Sequence, residues 1–314
     1  VTVCIFNLGN SREILDDILI SMSSVNQHSE KSEEPLLPFE IDYLPEFARR
    51  KLQVELKETP ENKEKALAEL KKLTSADKTT NDYNFEEDLL IQYLRHSKYD
   101  VTRALNHIRN YVTLRKKNLR LFQSIPDDEY FQSKVSTQFV IPLPKRSPDG
   151  CTIVLTRTGI WDPKEMAYND LVRLSMMIFL QFLRDPMTQV NGFKIIHDFQ
   201  GTSLQHYRYC TPHNLHFLFH ATINSIPARY AEIHFINESF VLRAIWALIK
   251  NLLSEKLRNR VYFHKNVEEL HQFFPRSVLP VEYGGELQDI KTNWPRRANK
   301  EHEINDMEGQ PNRY

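Results

Sequence analysis

The apolar and polar positions change rhythm along the chain, and each rhythm predicts a different kind of element. From Glu61 onward Ala66, Leu67, Leu70 and Leu73 recur at spacings of three and four with lysines on the opposite face, the pattern of an amphipathic helix. The stretch NDYNFEEDLLIQYLRHSKYDVTRALNHIRNYVTLRKKNLRLF then predicts two more. In the first, Asn84 is the expected N-cap, acidic residues fill the first turn, and Leu89, Leu90, Tyr93 and Leu94 form the apolar face. The second is capped near Asp100 and carries Ala104, Leu105, Ile108, Tyr111, Val112 and Leu114. This all-helical part ends around Gln123.

Beyond it, short β-branched runs alternate with helical stretches, as in an α/β layer. FVIPL and CTIVLTR flank the turn signal Ser147-Pro148-Asp149-Gly150 and are expected to pair as neighbouring strands. A helix follows over residues 169–184, then the strand FKIIHDF, a helix over residues 211–225, the strand AEIHFIN and the short strand VYFH. Asn266 is positioned to cap NVEELHQFF. The boundaries are an extension expected to be disordered over 1–40, a helical domain over 41–125, an α/β domain over 130–294 and a charged tail over 295–314. A short helix, SREILDDILISMSS, is expected within the extension.

One helix departs from the ordinary one-sided pattern. In NESFVLRAIWALIKNLLSEKLRNR the residues Phe240, Val241, Leu242, Ala244, Ile245, Trp246, Leu248, Ile249, Leu252 and Leu253 cover far more than one core-facing stripe. Fourteen residues rise roughly 21 Å, short of the ~30 Å hydrocarbon thickness, so this is not a transmembrane span. Two arrangements fit it: a core helix of a large domain, or a mobile lid over an apolar cavity that also lies on a membrane.

Composition narrows the class of function. Acidic and basic residues balance at 41 each, so net charge gives no support for a nucleic-acid binder, and any electrostatic role is local. Lys256 and Arg260 lie four residues apart and predict a shared helical face, with Lys250 earlier in the same stretch and Arg229 at the start of the preceding strand. Beside an over-apolar helix, such a cluster suits anionic lipid headgroups, each cation adding about 1 kcal/mol. Cys4, Cys151 and Cys210 are scattered, without metal-ligand spacing, and are expected to be reduced thiols of a cytosolic protein.

Catalytic motifs for phosphate, dinucleotide, nucleophile-elbow or zinc-protease chemistry are missing from the sequence, and the expectation is a protein that is not an enzyme and carries no metal or organic cofactor. His213, His216 and His220 share one helix side, but a wetted histidine face accounts for them more simply than a three-imidazole zinc site. His197 and Asp198 are consecutive in a strand, so they point to opposite faces and cannot act as one dyad.

The segments LLIQYLRHSKYDVTRALNHIRNYVTLR, TRTGIWDP, NGFKIIHDFQGTSLQH, IHFINESFVLRAIWALIKNLLSEKLRNRV and FPRSVLPVEYGGEL, taken in order, resemble the CRAL-TRIO lipid-transfer domain family, within it the branch of the α-tocopherol transfer protein and cellular retinaldehyde-binding protein. The resemblance runs over residues 84–294. It implies an α/β fold, a mixed sheet of about five strands with a gate helix over an apolar pocket, preceded by a small all-α domain. Carried over residue by residue, the pocket is lined by Val172, Ser175, Phe179, Phe193, His197, Cys210, Leu218, Thr222, Ile226 and Ile233, with Val241, Ile245 and Leu248 from the gate. Ser175, His197 and Thr222 are the polar groups that orient a ligand. Arg229, Lys256 and Arg260 match a phosphoinositide cleft, to which Lys250 is added as a membrane contact. Two positions depart from that cleft, Ala231 and Ser97, which predicts weaker binding of anionic headgroups. Phe179 replaces a small polar residue of the tocopherol carrier, so the resemblance does not single out tocopherol as the ligand.

The implied function is an intracellular carrier of one hydrophobic ligand, tocopherol-, retinoid- or phospholipid-like. It is expected to be a monomer in the cytoplasm, transiently at anionic membranes. The competing class is a regulatory module that binds anionic membranes or a protein partner without moving lipid.

Overall fold

The computed structural model describes residues 44–123 and 135–288, apart from the side chains of Leu248 and Leu252. The expected extension over residues 1–40, its short helix and the tail from residue 295 lie outside the described residues.

Local signals account for most helix starts. α1 (Glu46–Val54) was not read from periodicity; it buries Ala48 in a small cluster with Leu56, Met187 and Val190. Thr59 caps α2 (Pro60–Ala76) by accepting from the Asn62 amide at 3.1 Å, with proline at the first helical position. The expected cap at Asn84 is not used, because Phe85 packs against the core and the helix begins later, as α3 (Glu87–His96) with Glu86 at its N-cap. Asp100 caps α4 (Val101–Lys117), accepting from the Arg103 amide at 2.9 Å.

Five strands follow in the order in which they occur. β1 (Val140–Pro142) pairs antiparallel with β2 (Thr152–Arg157), as the turn between them predicted. β3 (Phe193–Asp198), β4 (Tyr230–Ile236) and β5 (Val261–Phe263) continue the sheet in parallel. Parallel neighbours need crossovers. α5 (Tyr168–Phe182) and α6 (Pro186–Asn191) connect β2 to β3, α7 (Pro212–Phe219) connects β3 to β4, and α8 (Phe240–Ile249) connects β4 to β5. The helix expected over 211–225 is α-helical only to Phe219; residues His220–Ser225 widen into a π turn. That turn is fixed from outside: Tyr93 donates to the Ser225 carbonyl at 2.9 Å and Asn110 to the Asn224 carbonyl at 3.1 Å.

The two-residue repeat of the strands sorts the core into two layers. Val140, Val154, Phe193 and Ile195 join α5 and the helices α2 to α4 in one apolar cluster. Ile141, Ile153, Leu155, Ile196 and Ile236 face the other way, onto Leu270, Phe274, Val278, Leu279 and Tyr283 of the C-terminal turns. Polar groups on this second face are interlinked. Lys194 meets Glu232 at 3.0 Å and Asp149 at 3.2 Å, Glu232 meets His234 Nε2 at 3.1 Å, and His234 Nδ1 lies 2.9 Å from His264 Nε2. Burial alone would raise the Glu232 pKa, but His234 and Lys194 outweigh it and hold the carboxyl below its usual range.

Two outcomes follow. Tyr93→Phe removes the donor to Ser225 and is expected to cost about 1–2 kcal/mol in urea unfolding. Burial, helped by neighbouring positive charge or histidine, lowers His96 to about 3 and His264 to about 4. The unfolded chain takes up these protons near pH ~6.5, the folded chain only near those lower values. Stability is therefore expected to be level above pH ~7 and to fall as pH drops from ~6.5 toward ~4, by about 1.4 kcal/mol per pH unit for each such histidine. A urea midpoint that stays flat down to pH ~5 contradicts this.

Candidate functional site

The inner face of the sheet, on the side of α5, carries a row of rings set by strand register. His197, Phe235 and Phe263 are direct cross-strand partners on β3, β4 and β5. Their rings stack at 5.2 and 5.0 Å between centroids. Trp246 of α8 stands edge-on to Phe263 at 5.5 Å and 6.3 Å from Phe235. α8 thus lies across this row, with Leu242 buried, Val241 and Ile245 half-buried, and Arg243, Ala244 and Ala247 exposed. The apolar excess seen in the sequence is accommodated by alanines on the outer side and by Phe240, which is 85% exposed.

The pocket residues implied by the resemblance fall into two groups. Val172, Phe193 and Ile226 are buried in the main apolar cluster, Phe193 edge-on to Phe179 at 5.2 Å. Ser175, Phe179, His197, Cys210, Leu218, Thr222, Ile233, Val241 and Ile245 are all only half-buried. The side chain of Leu248 is outside the described residues. His197 is the most informative of them. Desolvation, with His234 adding to it, pushes its pKa down to about 4, so the imidazole is deeply enclosed by protein, and yet it keeps accessible surface. It packs against Phe199 and Phe235 and meets Thr156, while part of its surface stays accessible.

Hydrogen bonding distinguishes the three polar candidates. Ser175 donates to the Leu171 carbonyl at 2.9 Å and Thr222 to the Leu218 carbonyl at 2.7 Å, so both hydroxyl protons are held within their own helices. His197 Nδ1 is 2.6 Å from Thr156 Oγ1, while Nε2 has no partner among the described residues. Tyr168 was missed by the sequence reading, and no local motif marks it. Its hydroxyl is buried without a partner among the described residues, burial raises its pKa to about 12, and Cys210 is close enough to add to that rise. Burial also raises the Cys210 thiol above its ordinary value.

The basic residues converge more than the sequence suggested, though by a different route. The helical turn Glu255–Arg258 ends before Arg260, so Lys256 and Arg260 do not share a helix face. Arg260 instead reaches back to donate to the Tyr230 carbonyl at 2.5 Å. The charge of Arg260, then burial, then Lys98, Arg229 and Arg103 lower the Lys256 pKa. Burial lowers Arg229 as well, with Arg260 and Arg103 acting in the same direction against Glu55. Lys98 and Arg103 were not assigned to the cleft from sequence; Lys98 reaches it on a left-handed backbone, φ +55°, just after α3. Lys250 is exposed and is not among the charges that press on Lys256. Arg95 is neutralised by Glu58 at 2.7 and 2.8 Å. Ala231 sits at a register shift between β3 and β4. Gly192, φ +87°, is required beside it, since a Cβ there would lie 2.3 Å from the Arg229 carbonyl oxygen.

His213 and His216 are exposed, and the His220 ring bonds Ser225 Oγ at 3.1 Å. Among the described residues no group of three His, Cys, Asp or Glu is arranged to hold a metal ion, and no helix is long and apolar enough to cross a membrane.

Residues 136–285 match the CRAL/TRIO domain. The chain is 28% identical over 273 residues to the human alpha-tocopherol transfer protein-like protein, covering 87% of this chain and 79% of the relative. It is 26% identical over 258 residues to mouse clavesin-2, covering 82% and 79%. Among solved structures, that of Sfh5 aligns with a TM-score of 0.44 at 12% identity, over 85% of this chain and 100% of the other.

Because His197 stays neutral until about pH 4, its ring resonances are expected to be invariant in NMR titrations between pH ~8 and ~5. A midpoint near pH ~6.5 would show an imidazole open to bulk water instead.

Proposed function

We propose that this CRAL/TRIO protein carries a single hydrophobic ligand between the inner sheet face, α5, α7 with its π turn, and α8, and exchanges it at anionic membranes from the cytoplasm. Membership of the family and its relatives support lipid binding in general; one of those relatives is named for tocopherol transfer. The observation that carries the finer reading is His197, enclosed by protein yet accessible, with Nε2 free of any protein partner among the described residues. Around it the lining is apolar, so affinity comes from buried area at about 25 cal/mol per Å². A single hydroxyl or carbonyl on the ligand, bonded to Nε2, would fix its orientation.

The stacked row of His197, Phe235 and Phe263 favours one kind of ligand surface. Rings stacked along a sheet turn their edges outward, and aromatic edges attract π faces, each such contact contributing about 0.5–1.5 kcal/mol beyond area. A planar, unsaturated portion lying on this row gains that term, and a saturated chain does not.

Membrane docking follows from two features at the edges of α8. Phe240 and Leu204 are 85% and 79% exposed, and the Tyr207–Ser239 hydrogen bond at 2.6 Å brings their segments together at the start of the helix. An apolar pair of this kind is suited to enter the headgroup boundary. The cluster of Lys98, Arg103, Arg229, Lys256 and Arg260 is suited to phosphoinositides or other anionic headgroups, because an anion relieves the mutual repulsion that lowers Lys256.

Native mass spectrometry after incubation with a lipid extract should show one lipid per chain. An empty protein with no lipid-dependent rise in melting temperature overturns the reading. Lys256→Ala combined with Arg260→Ala is expected to slow transfer to anionic vesicles several-fold and to leave ligand retention unchanged. Equal loss of both removes the separation between cavity and cleft. Vesicle binding without any acceleration of lipid transfer supports the regulatory class instead.

A further inference from the structure

Asp198 follows His197 along β3 and therefore serves the opposite face of the sheet. Its carboxylate is 4% exposed and accepts three hydrogen bonds from three parts of the chain. The Gln200 amide donates from its own loop at 2.8 Å. The Asn237 side chain donates at 2.8 Å from the link between β4 and α8. The Tyr283 hydroxyl donates at 2.7 Å from the C-terminal turn Val281–Tyr283.

The two distant donors differ in how firmly they are held. Tyr283 is buried at 4% and its carbonyl lies 3.0 Å from His271 Nε2, so it belongs to the fixed framework. Asn237 is exposed, stands in a left-handed conformation at φ +53°, and leads directly into α8. Asparagine tolerates that conformation better than most residues, but it is a single strained step at the base of α8.

We propose that Asp198 is a positioning residue for α8: its bond to Asn237 holds the helix closed over the cavity, and its bond to Tyr283 ties the closed state to the C-terminal segment. The proposal rests on the reading above that a ligand is exchanged from beneath α8, which requires that helix to open. A swing of α8 requires a change of φ and ψ at Asn237, and such a change withdraws the amide from Asp198. The bond is thus present in one state only, which is what a two-state latch needs.

Opening does not strand a buried charge. A half-open cleft of about 290 Å³ adjoins these groups, lined by Arg157, Gln200 and Glu282 together with Ile160 and Val267, and water within it can take the place of the Asn237 amide. Ser239 supplies a second tie two residues on, capping α8 through the Leu242 amide at 3.3 Å while bonding Tyr207. Being a hydroxyl pair, it lacks the carboxylate charge that makes the Asp198 bond the stronger of the two.

The test uses the full chain with Asn237→Gly and Tyr283→Phe. Glycine tolerates the left-handed backbone and removes the amide but also adds backbone freedom. Tyr283→Phe, which keeps the ring, removes only the hydroxyl and leaves Asn237 untouched, therefore separates loss of the latch from a looser hinge. Two quantities are read: hydrogen exchange of the α8 amides in protein without added lipid, and release of an anthroyloxy-labelled stearate to anionic vesicles. Both variants are expected to raise exchange and release about ten-fold, which corresponds to about 1.4 kcal/mol. Unchanged exchange in Asn237→Gly overturns the latch even if Tyr283→Phe fails to fold. A lower urea midpoint for Tyr283→Phe with wild-type α8 exchange assigns Tyr283 to the fold alone and overturns its part. If exchange rises but the wild type never holds the probe, the latch stands and the carrier reading falls; if the probe is held and exchange does not move, the reverse follows.

Discussion

Strands β2 to β5 are covered on both faces, and the two-residue repeat of a strand makes each of them serve two environments at once. The placement of His197 and Asp198 depends on that alternation. His197 stands on the inner face beside Phe235, while Asp198, one peptide bond away, accepts three hydrogen bonds on the far side. A slip of one residue in the register of β3 would place a carboxylate under α8 and an imidazole beneath the C-terminal turns. The network of Lys194, Glu232, His234 and His264 on the outer face opposes such a slip, because none of these groups has a counterpart in the inner, apolar layer.

The basic cleft illustrates a different constraint. Lys98, Arg103, Arg229, Lys256 and Arg260 come from the turn after α3, from α4, from the residue before β4 and from the chain before β5, and the fold assembles them against their mutual repulsion. Geometry supports this arrangement: Arg229 lies where Gly192 allows close approach, and Arg260 is tied to the Tyr230 carbonyl. Arg95, which could have joined the cluster, is withdrawn by Glu58. Tyr230 thus links the two functional regions. Its carbonyl holds Arg260, and its hydroxyl approaches the Thr222 carbonyl in the π turn at 3.4 Å.

Local chemistry made much of the fold legible in the sequence. The caps at Asp100 and Asn266, the pairing of β1 with β2 across Ser147-Pro148-Asp149-Gly150, and the strands FKIIHDF and AEIHFIN all rest on signals within a few residues. The misses share one cause. Asn84 loses its cap role to the burial of Phe85, α1 is held by Met187 and Val190 far along the chain, and the π turn is pinned by Tyr93 and Asn110. In each case a partner more than a hundred residues away, or the core itself, decides a local conformation.

The candidate site divides in the same way. The sequence by itself determined the five strands and most of the helices, that residues 240–249 are too apolar for an ordinary surface helix, and that His197 and Asp198 point apart, since these follow from composition and period. The tertiary structure decided that Ser175 and Thr222 turn their protons inward to their own helices and leave His197 Nε2 free. It also brought Lys98 and Arg103 to Lys256, and joined Asn237 to Tyr283 through one carboxylate. Those are relations between atoms distant in the chain, fixed by packing across the sheet, and no local pattern of residues encodes them.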